Sequence, residues 1–284
     1  PSYGDAESLI GNSIKKLAIE ENIKEKNWVI TSKVLPKGDF DFLKNNFKKS
    51  LKNLNREKIN NLAIHGLNLK QHLDWVLAGE GKKFISWILE KELVDQVGFS
   101  SHGSYSLIKD AINCEVFTFC SLHLHYLDQS KIALAEEAIK KGMGVLAISP
   151  ADKGGRLYSP SDILIEASKP FHPLELAYRF LLAKGITTLS LGATNKKDFE
   201  FAHKLRNSFE KLTKLEKSAL NKIEEVSNER LNSTKCEQCR SCLPCPNEVP
   251  IPEILRLRNI SIGYGQLEFS KERYNLIGKA GHWW

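Results

Sequence analysis

Strand-like and helix-like patterns alternate along most of this 284-residue chain, and this alternation restricts its fold more than any other feature. Short runs rich in apolar and β-branched residues predict strands at 28–32, 61–65, 96–100, 115–122, 144–149 and 187–191. Amphipathic stretches predict helices at 6–20, 39–54, 71–89, 104–113, 131–141, 173–184, 196–207 and 214–231. Strands that alternate with helices in this way form parallel sheets covered by helices. We therefore expect an α/β fold.

The six strand–helix units leave two arrangements of the sheet open. An open doubly wound sheet holds six strands, whereas a β/α barrel needs eight. Polar residues follow most of the predicted strands, as is typical of a barrel mouth: Ser32 and Lys33, His65, Ser100 and Ser101, His123 and His125, and Ser149. No G-x-G-x-x-G turn follows a strand, which counts against a dinucleotide-binding doubly wound sheet. We expect a (β/α)8 barrel that lacks its first two strands.

Four of the six cysteines stand within ten residues, in the sequence C-E-Q-C-R-S-C-L-P-C-P: Cys236, Cys239, Cys242 and Cys245. Thiolates this close together suit a soft metal, and the Pro that follows is typical of ferredoxin-type iron–sulfur ligation. Structural zinc is an alternative, although it usually uses two separated pairs, and disulfides are a weaker one. Ferredoxins have three residues before the last Cys and this chain has two, so by the ferredoxin pattern the fourth ligand lies elsewhere or is absent. Cys114 and Cys120, which we place in a strand, are poor candidates for it.

The composition changes at these cysteines, and we place a domain boundary there. A polar break at 232–235 follows the helix predicted at 214–231, and the chain then becomes rich in Cys and Pro. We expect a barrel domain over 1–231, incomplete at its N-terminus. A small ferredoxin-like segment over 232–284, incomplete at its C-terminus, follows it.

The net charge of +7 and the pI near 9.0 raise the question of nucleic-acid binding. The lysines are scattered over helix faces among glutamates and form no basic run interleaved with aromatics, so we expect no nucleic-acid partner. The longest apolar runs fall far short of the roughly 20 residues that a membrane helix needs. Residues 1–20 show no basic-then-apolar signal pattern. We expect no membrane contact and a cytoplasmic, reducing compartment.

Three side chains are separated by about one strand–helix unit each, which predicts that they meet at one barrel mouth: Tyr3, Lys33 and His65. A Tyr beside a Lys has a defined chemical use, because the ammonium lowers the Tyr pKa from about 10. Such a Tyr can donate a proton to a carbonyl oxygen as a hydride reaches the carbon, and a His can orient that oxygen. Taken singly, each residue also has an ordinary explanation: packing at a terminus, a surface charge or a core histidine.

The residues around these three side chains resemble those of the aldo-keto reductases. The matching motifs are Y-G-D-A-E-S-L-I-G from Tyr3, I-T-S-K-V around Lys33 and L-A-I-H-G around His65. Three further motifs match at later strand ends: G-F-S-S-H-G, L-A-I-S-P and K-G-G-R-L. The resemblance covers residues 3–207. It implies a barrel enzyme that reduces a small carbonyl substrate with hydride from NADP(H) or NAD(H). It also implies that Tyr3 is the general acid, Lys33 its activator and His65 the group that orients the carbonyl.

The resemblance further implies a set of residues that bind the nicotinamide cofactor without a glycine-rich turn. They are Ser100, Ser101, Ser121, Ser149, Pro150, Lys153, Gly155, Leu157, Gly192, Thr194 and Asn195. Some positions depart from the family pattern: Ser101 replaces an Asn, Ser121 a Gln and Ile148 an aromatic ring. Asp198 lies near the place of an Arg that contacts the cofactor 2′-phosphate, so the choice between NADPH and NADH stays open.

The chain looks most like a subgroup of this family with a C-terminal ferredoxin-type extension, which implies a 4Fe-4S cluster on Cys236, Cys239, Cys242 and Cys245. That subgroup has a second cysteine run, and the family has a catalytic Asp shortly before the Tyr. The chain contains neither. We expect an internal fragment of a longer protein, and a degenerate paralogue is the alternative.

Three functions compete on this basis. The favoured one is carbonyl reduction with an associated iron–sulfur cluster. An electron-transfer or redox-sensing module with a barrel that binds nucleotide is the first alternative, and a non-catalytic nucleotide-binding partner protein is the second. The small carbonyl substrate and a redox partner protein are the expected binding partners.

Overall fold

The computed structural model describes residues 4–21, 23–24, 28–151, 156–239 and 241–277. The strands within them are β1 (Thr31–Val34), β2 (Ile59–Ile64), β3 (Val94–Ser101), β4 (Phe119–His123), β5 (Gly144–Ile148) and β6 (Thr188–Leu189). They form one sheet in chain order, and the four pairings from β1 to β5 are all parallel. The predicted α/β architecture with a parallel sheet is confirmed.

Twelve α-helices accompany these strands in the same described ranges. They are α1 (Ala6–Glu20), α2 (Phe40–Asn53), α3 (Lys70–Ala78), α4 (Glu80–Glu90), α5 (Tyr105–Asn113), α6 (Ile132–Lys140), α7 (Asp162–Ser168), α8 (Pro173–Ala183), α9 (Glu200–Leu205), α10 (Lys214–Leu231), α11 (Ile251–Gly263) and α12 (Leu267–Tyr274). Short 3-10 helices cover Arg156–Tyr158, Lys196–Phe199 and Asn232–Thr234. Of the helices that are described, none is long and apolar enough to cross a bilayer.

The chain divides into two compact units. The first comprises Pro1–His123, Lys131–Ile148 and Ile186–Thr188, and the second comprises Leu124–Ser130, Ser149–Gly185 and Leu189–Trp284. Strands β1 to β5 and helices α1 to α6 belong to the first unit, and helices α7 to α12 belong to the second.

The core of the first unit is formed where the sheet is covered by helices. Strand β4 is buried at every position, as expected for a central parallel strand. The rings of Phe47 in α2 and Phe84 in α4 are fully buried and pack edge to face with centroids 6.0 Å apart. A Cβ on Gly98 would lie 2.4 Å from the carbonyl oxygen of Phe119, so only glycine lets β3 pass β4 this closely.

Side-chain caps fix where several helices begin. Asp39 accepts a hydrogen bond from the Phe42 N–H at 2.8 Å and caps α2. Thr213 and Glu216 form a reciprocal capping box at the start of α10. Such caps satisfy backbone N–H groups that have no partner inside the helix, and they define where α2 and α10 begin.

The sequence prediction is wrong at several places. The first strand, predicted at 28–32, lies at Thr31–Val34, and the last, predicted at 187–191, comprises only Thr188–Leu189. The helix predicted at 71–89 is divided into α3 and α4, because the Gly79 backbone between them is extended. The strand predicted at 115–122 begins only at Phe119, and Cys114 caps the end of α5 instead of lying in a strand. The helix predicted at 196–207 is a 3-10 helix followed by the short α9.

A buried ion pair joins α8 to the start of α10 in the second unit. Arg179 Nε donates to Glu216 Oε1 at 2.6 Å, and the two residues are only 4% and 5% exposed. Arg179 also donates to the carbonyl oxygens of Ser208 and Glu210, and Glu216 Oε2 accepts from the Thr213 N–H at 2.7 Å. The pair therefore fixes α8 against both the preceding loop and the cap of α10.

Candidate active site and cysteine loop

Lys33 and His65 lie at the carboxyl ends of neighbouring parallel strands. Lys33 is opposite Ala63 in the register of β1 and β2, and His65 follows directly after the last residue of β2. The His65 N–H donates to the Val34 carbonyl oxygen at 2.7 Å, which fixes the two strand ends together. Both side chains are half-buried. Two of the three predicted catalytic residues thus lie next to each other at the carboxyl ends of the strands.

A cavity of about 550 Å³ has both residues in its wall. Ser32 and Glu7 add further polar groups. Most of the remaining wall is apolar and comes from α1 and the approach to β1: Leu9, Ile10, Ile14, Leu17, Trp28 and Val29. A largely apolar cavity with a few polar groups is the usual form of a small-molecule site.

His65 is neutral at physiological pH. Burial, followed by the positive charge of Lys33, lowers the pKa of His65 from 6.5 to about 4. A neutral imidazole has one N–H donor and one nitrogen acceptor. His65 is therefore suited to donate a hydrogen bond to a carbonyl oxygen while keeping its own proton.

Glu7 ties the first turn of α1 to the strand that carries Lys33. Ser32 Oγ donates to Glu7 Oε1 at 2.6 Å, and Asn53 Nδ2 donates to Oε2 at 3.3 Å. Burial acts to raise the pKa of Glu7, but hydrogen bonds from Ser32, Ser50 and Asn53 outweigh it and lower the pKa. The sequence patterns missed this role; an acidic residue in the first turn of α1 was the only local signal.

Three predicted site residues, Tyr3, Lys153 and Gly155, lie outside the described residues. Gly4, which directly follows Tyr3, lines the same cavity as Lys33 and His65. The chain therefore reaches this cavity at the residue next to the predicted general acid.

Ser100 and Ser101, two predicted cofactor residues, fasten the loop after β2 to the end of β3. Ser100 Oγ accepts from the Gly66 N–H at 3.1 Å. Ser101 Oγ donates to the Leu67 carbonyl oxygen at 2.6 Å and accepts from the Gly103 N–H at 2.9 Å. Both hydroxyls thus have protein partners, and they shape the edge of the sheet beside His65.

Ser121, a third predicted cofactor residue, differs from Ser100 and Ser101 in its hydrogen bonding. It lies in β4 opposite Ser100, and its hydroxyl is fully buried without a hydrogen-bond partner in the described part of the chain. An unsatisfied buried hydroxyl costs about 1–3 kcal/mol. A bound ligand that presented an amide or a hydroxyl to Ser121 would remove this cost, so the residue fits a nicotinamide cofactor.

Of the other predicted cofactor residues in the second unit, Leu157 lies in the 3-10 helix Arg156–Tyr158, and Ser149, Pro150 and Gly192 lie in connecting segments. Pro150 and Leu157 are buried, and Gly192 is exposed. Ser149 has a φ of +58°, a left-handed conformation that non-glycine residues rarely adopt. Strained backbone of this kind often occurs at functional sites.

Thr194 and Asn195, also predicted cofactor residues, are engaged by Asp198 within the same turn. Asp198 Oδ2 accepts from the Thr194 N–H at 2.7 Å and from the Asn195 N–H at 3.1 Å. These hydrogen bonds lower the pKa of Asp198, and the bond from the Thr194 N–H contributes most. The carboxylate of Asp198 therefore lies near the position where the resemblance implies a cation that contacts the cofactor 2′-phosphate.

The four clustered cysteines lie between the 3-10 helix Asn232–Thr234 and α11. All four are free thiols; Cys239 and Cys242 are exposed, whereas Cys236 and Cys245 are half-buried. Among the described residues, no three of these sulfurs lie within 4.8 Å of one another, the spread that suits a single ion. A four-iron cluster is larger than one ion and holds its thiolates further apart.

Two of these sulfurs have polar partners. Gln238 Nε2 donates to Cys236 Sγ at 3.4 Å, and Cys239 Sγ lies 3.2 Å from Ser241 Oγ. The contact with Ser241 lowers the pKa of Cys239. Since the thiolate is the form that binds metals, this donor set fits a metal cluster.

Solved structures resemble this chain, although no family model and no curated protein sequence matches it. An aldo-keto reductase from Bacillus halodurans in its holo form has a TM-score of 0.61 at 18% identity, over 76% of this chain and 77% of its own. An aldose reductase from Schistosoma japonicum has a TM-score of 0.57 at 20% identity, over 76% and 75%. An aldo-keto reductase complexed with NADPH has a TM-score of 0.59 at 18% identity, over 75% and 69%.

These structures share one architecture. This chain has the aldo-keto reductase fold. The predicted fold class is therefore confirmed. In β/α barrels, active sites form at the carboxyl ends of the strands. In this example of the aldo-keto reductase fold, Lys33 and His65 occupy such ends on β1 and β2.

Proposed function

We propose that the chain reduces the carbonyl group of a small aldehyde or ketone with hydride from NAD(P)H. The observation that supports this most is the position of Lys33 beside a neutral His65, at neighbouring strand ends of an aldo-keto reductase fold. One of the similar structures is complexed with NADPH. The buried hydroxyl of Ser121 in β4, which lacks a protein partner in the described residues, supports a polar ligand at the same sheet.

In the proposed reaction, the bound cofactor supplies the hydride that forms the new C–H bond. Tyr3 donates its hydroxyl proton to the carbonyl oxygen, so that an alcohol results. Lys33 stabilises the phenolate that Tyr3 becomes, because a nearby ammonium favours the charged form. His65 donates a hydrogen bond to the same carbonyl oxygen. The apolar wall of the cavity favours substrates with an apolar substituent.

The proposal is tested by mixing the full chain with NADPH or NADH and with simple carbonyl compounds, such as benzaldehyde and hexanal. With cofactor deuterated at the transferred position, we expect deuterium on the carbinol carbon of the product alcohol. Binding of the cofactor without deuterium transfer to any carbonyl compound would contradict reduction. That result would favour a nucleotide-binding partner protein instead.

We also propose that the segment 232–284 carries a 4Fe-4S cluster on Cys236, Cys239, Cys242 and Cys245. Four cysteines within ten residues and the polar contacts of two sulfurs support this proposal. Such a cluster would exchange single electrons, so a redox partner protein is part of the proposal. Structural zinc is the alternative for the same ligands.

Anaerobic reconstitution with iron and sulfide distinguishes these two metals. We expect iron and acid-labile sulfide in equal amounts, together with an electron paramagnetic resonance signal after reduction. Replacing Cys239 with Ser should reduce the bound iron, whereas Cys114→Ser, outside the loop, should leave it unchanged. Tight zinc binding with no retained sulfide would show that the iron–sulfur assignment is wrong.

A further inference from the structure

The cysteine loop is anchored to α11 at its first cysteine. Asn259, on α11, accepts from the Cys236 N–H through Oδ1 at 3.2 Å and donates through Nδ2 to the Cys236 carbonyl oxygen at 2.8 Å. Arg258, the neighbouring residue of α11, donates to the Thr234 carbonyl oxygen and to Thr234 Oγ1, both at 2.7 Å. The backbone on both sides of Cys236 is therefore held by one helix.

Gln238 fixes the sulfur of the same cysteine. Its Nε2 donates to Cys236 Sγ at 3.4 Å and to the Pro252 carbonyl oxygen, at the start of α11, at 3.0 Å. The Gln238 backbone has a φ of +55°, which is unfavourable for a residue with a Cβ. Even so, the side-chain amide is held between Pro252 and Cys236 and donates a hydrogen bond to the sulfur.

Cys239 and Cys242 differ from Cys236 in this respect. Both are exposed, and the contact of Cys239 with Ser241 is local to the loop. Cys236 also lines a cavity of about 350 Å³ together with Gln238 and Asn259. One cysteine of the run is thus pre-positioned, and the structure shows which side chains position it.

We infer that Asn259 and Gln238 are positioning residues for the metal cluster: Asn259 sets the location of Cys236, and Gln238 tunes the cluster through a hydrogen bond to its sulfur. The inference rests on the proposed iron–sulfur cluster. Hydrogen bonds to ligand sulfurs are among the factors that set the reduction potential of such clusters. A donor to a thiolate stabilises the more negative, reduced state, and so it raises the potential.

The test compares three variants of the reconstituted full chain. Gln238→Ala removes the donor, so we expect a more negative reduction potential with unchanged iron content. Gln71→Ala, at an exposed glutamine of α3 that does not line this cavity, is the matched control and should leave the potential unchanged. Asn259→Ala should lower the affinity for iron, measured by competition with a chelator, by about 10- to 100-fold.

Each result decides a different question. An unchanged potential in Gln238→Ala, with a normal cluster, would overturn the tuning role. An unchanged iron affinity in Asn259→Ala would overturn the positioning role. A wild-type chain that retains no iron and sulfide would instead overturn the proposed cluster, and this outcome is visible before any variant is made.

Discussion

Replacing Lys33 with Met is expected to lower the turnover number for carbonyl reduction by about 100- to 10,000-fold, the range typical of lost acid–base catalysis. In the proposed mechanism, the ammonium stabilises the phenolate that Tyr3 forms on proton transfer, and the methionine variant removes that charge. Cofactor affinity should be unaffected. The comparison requires kcat at saturating aldehyde and the dissociation constant of NADPH for both proteins.

Lys37→Met is the matched control, because Lys37 is exposed and follows the same strand. It should keep the turnover of the original chain. The pH profile adds a second readout: under the proposed mechanism, the basic limb of the profile should move to higher pH in Lys33→Met. Equal turnover in the two lysine variants would mean that Lys33 is an ordinary strand-end charge.

Replacing Arg179 with Met should destabilise the chain by about 3–5 kcal/mol, because it leaves the Glu216 carboxylate buried without its partner. The double variant Arg179→Met, Glu216→Leu should recover much of this loss, since it removes both buried charges. Urea unfolding at neutral pH measures the free energy of each protein. Lys271→Met, in an exposed pair with Glu268, should cost less than about 1 kcal/mol.

The effect of the Arg179 replacement should shrink in acid. Burial acts to raise the pKa of Glu216, but the hydrogen bonds from Arg179 and Thr213 hold it below 4.5. The stabilisation from this ionised carboxylate is therefore complete above pH 4.5 and is lost as the pH falls through the lowered pKa. If the difference between the original chain and Arg179→Met stayed constant on acidification, Glu216 would not be its source.

Local patterns predicted the helices best. The limits of α1 and α10 agree with prediction, because each helix has an apolar face, and the Thr213 capping box also defines the start of α10. Patterns failed where a single residue overrides periodicity. Gly79 interrupts an otherwise continuous amphipathic stretch, and the left-handed conformation of Glu115 delays the start of β4.

The candidate site could be predicted only in part. The spacing of Lys33 and His65 implied neighbouring strand ends, and the register of β1 and β2 has that arrangement; their catalytic roles stay predictions. The hydrogen-bonding roles of Glu7 and Asn259 could not be predicted, because their partners, Ser32 and Cys236, are far from them in the sequence. Hydrogen bonds over such distances leave no periodic signature in one chain.

Strand β1 is an edge of the sheet in the part of the chain that the structure describes, and this has a practical consequence. Edge strands can act as templates for pairing between molecules. Val29 and Leu9, close to this edge, are 72% and 66% exposed and would add apolar contact to such a pair. Self-association through β1 would hide the cavity that contains Lys33 and His65, and concentrated samples would then lose accessible sites in proportion to the dimer formed.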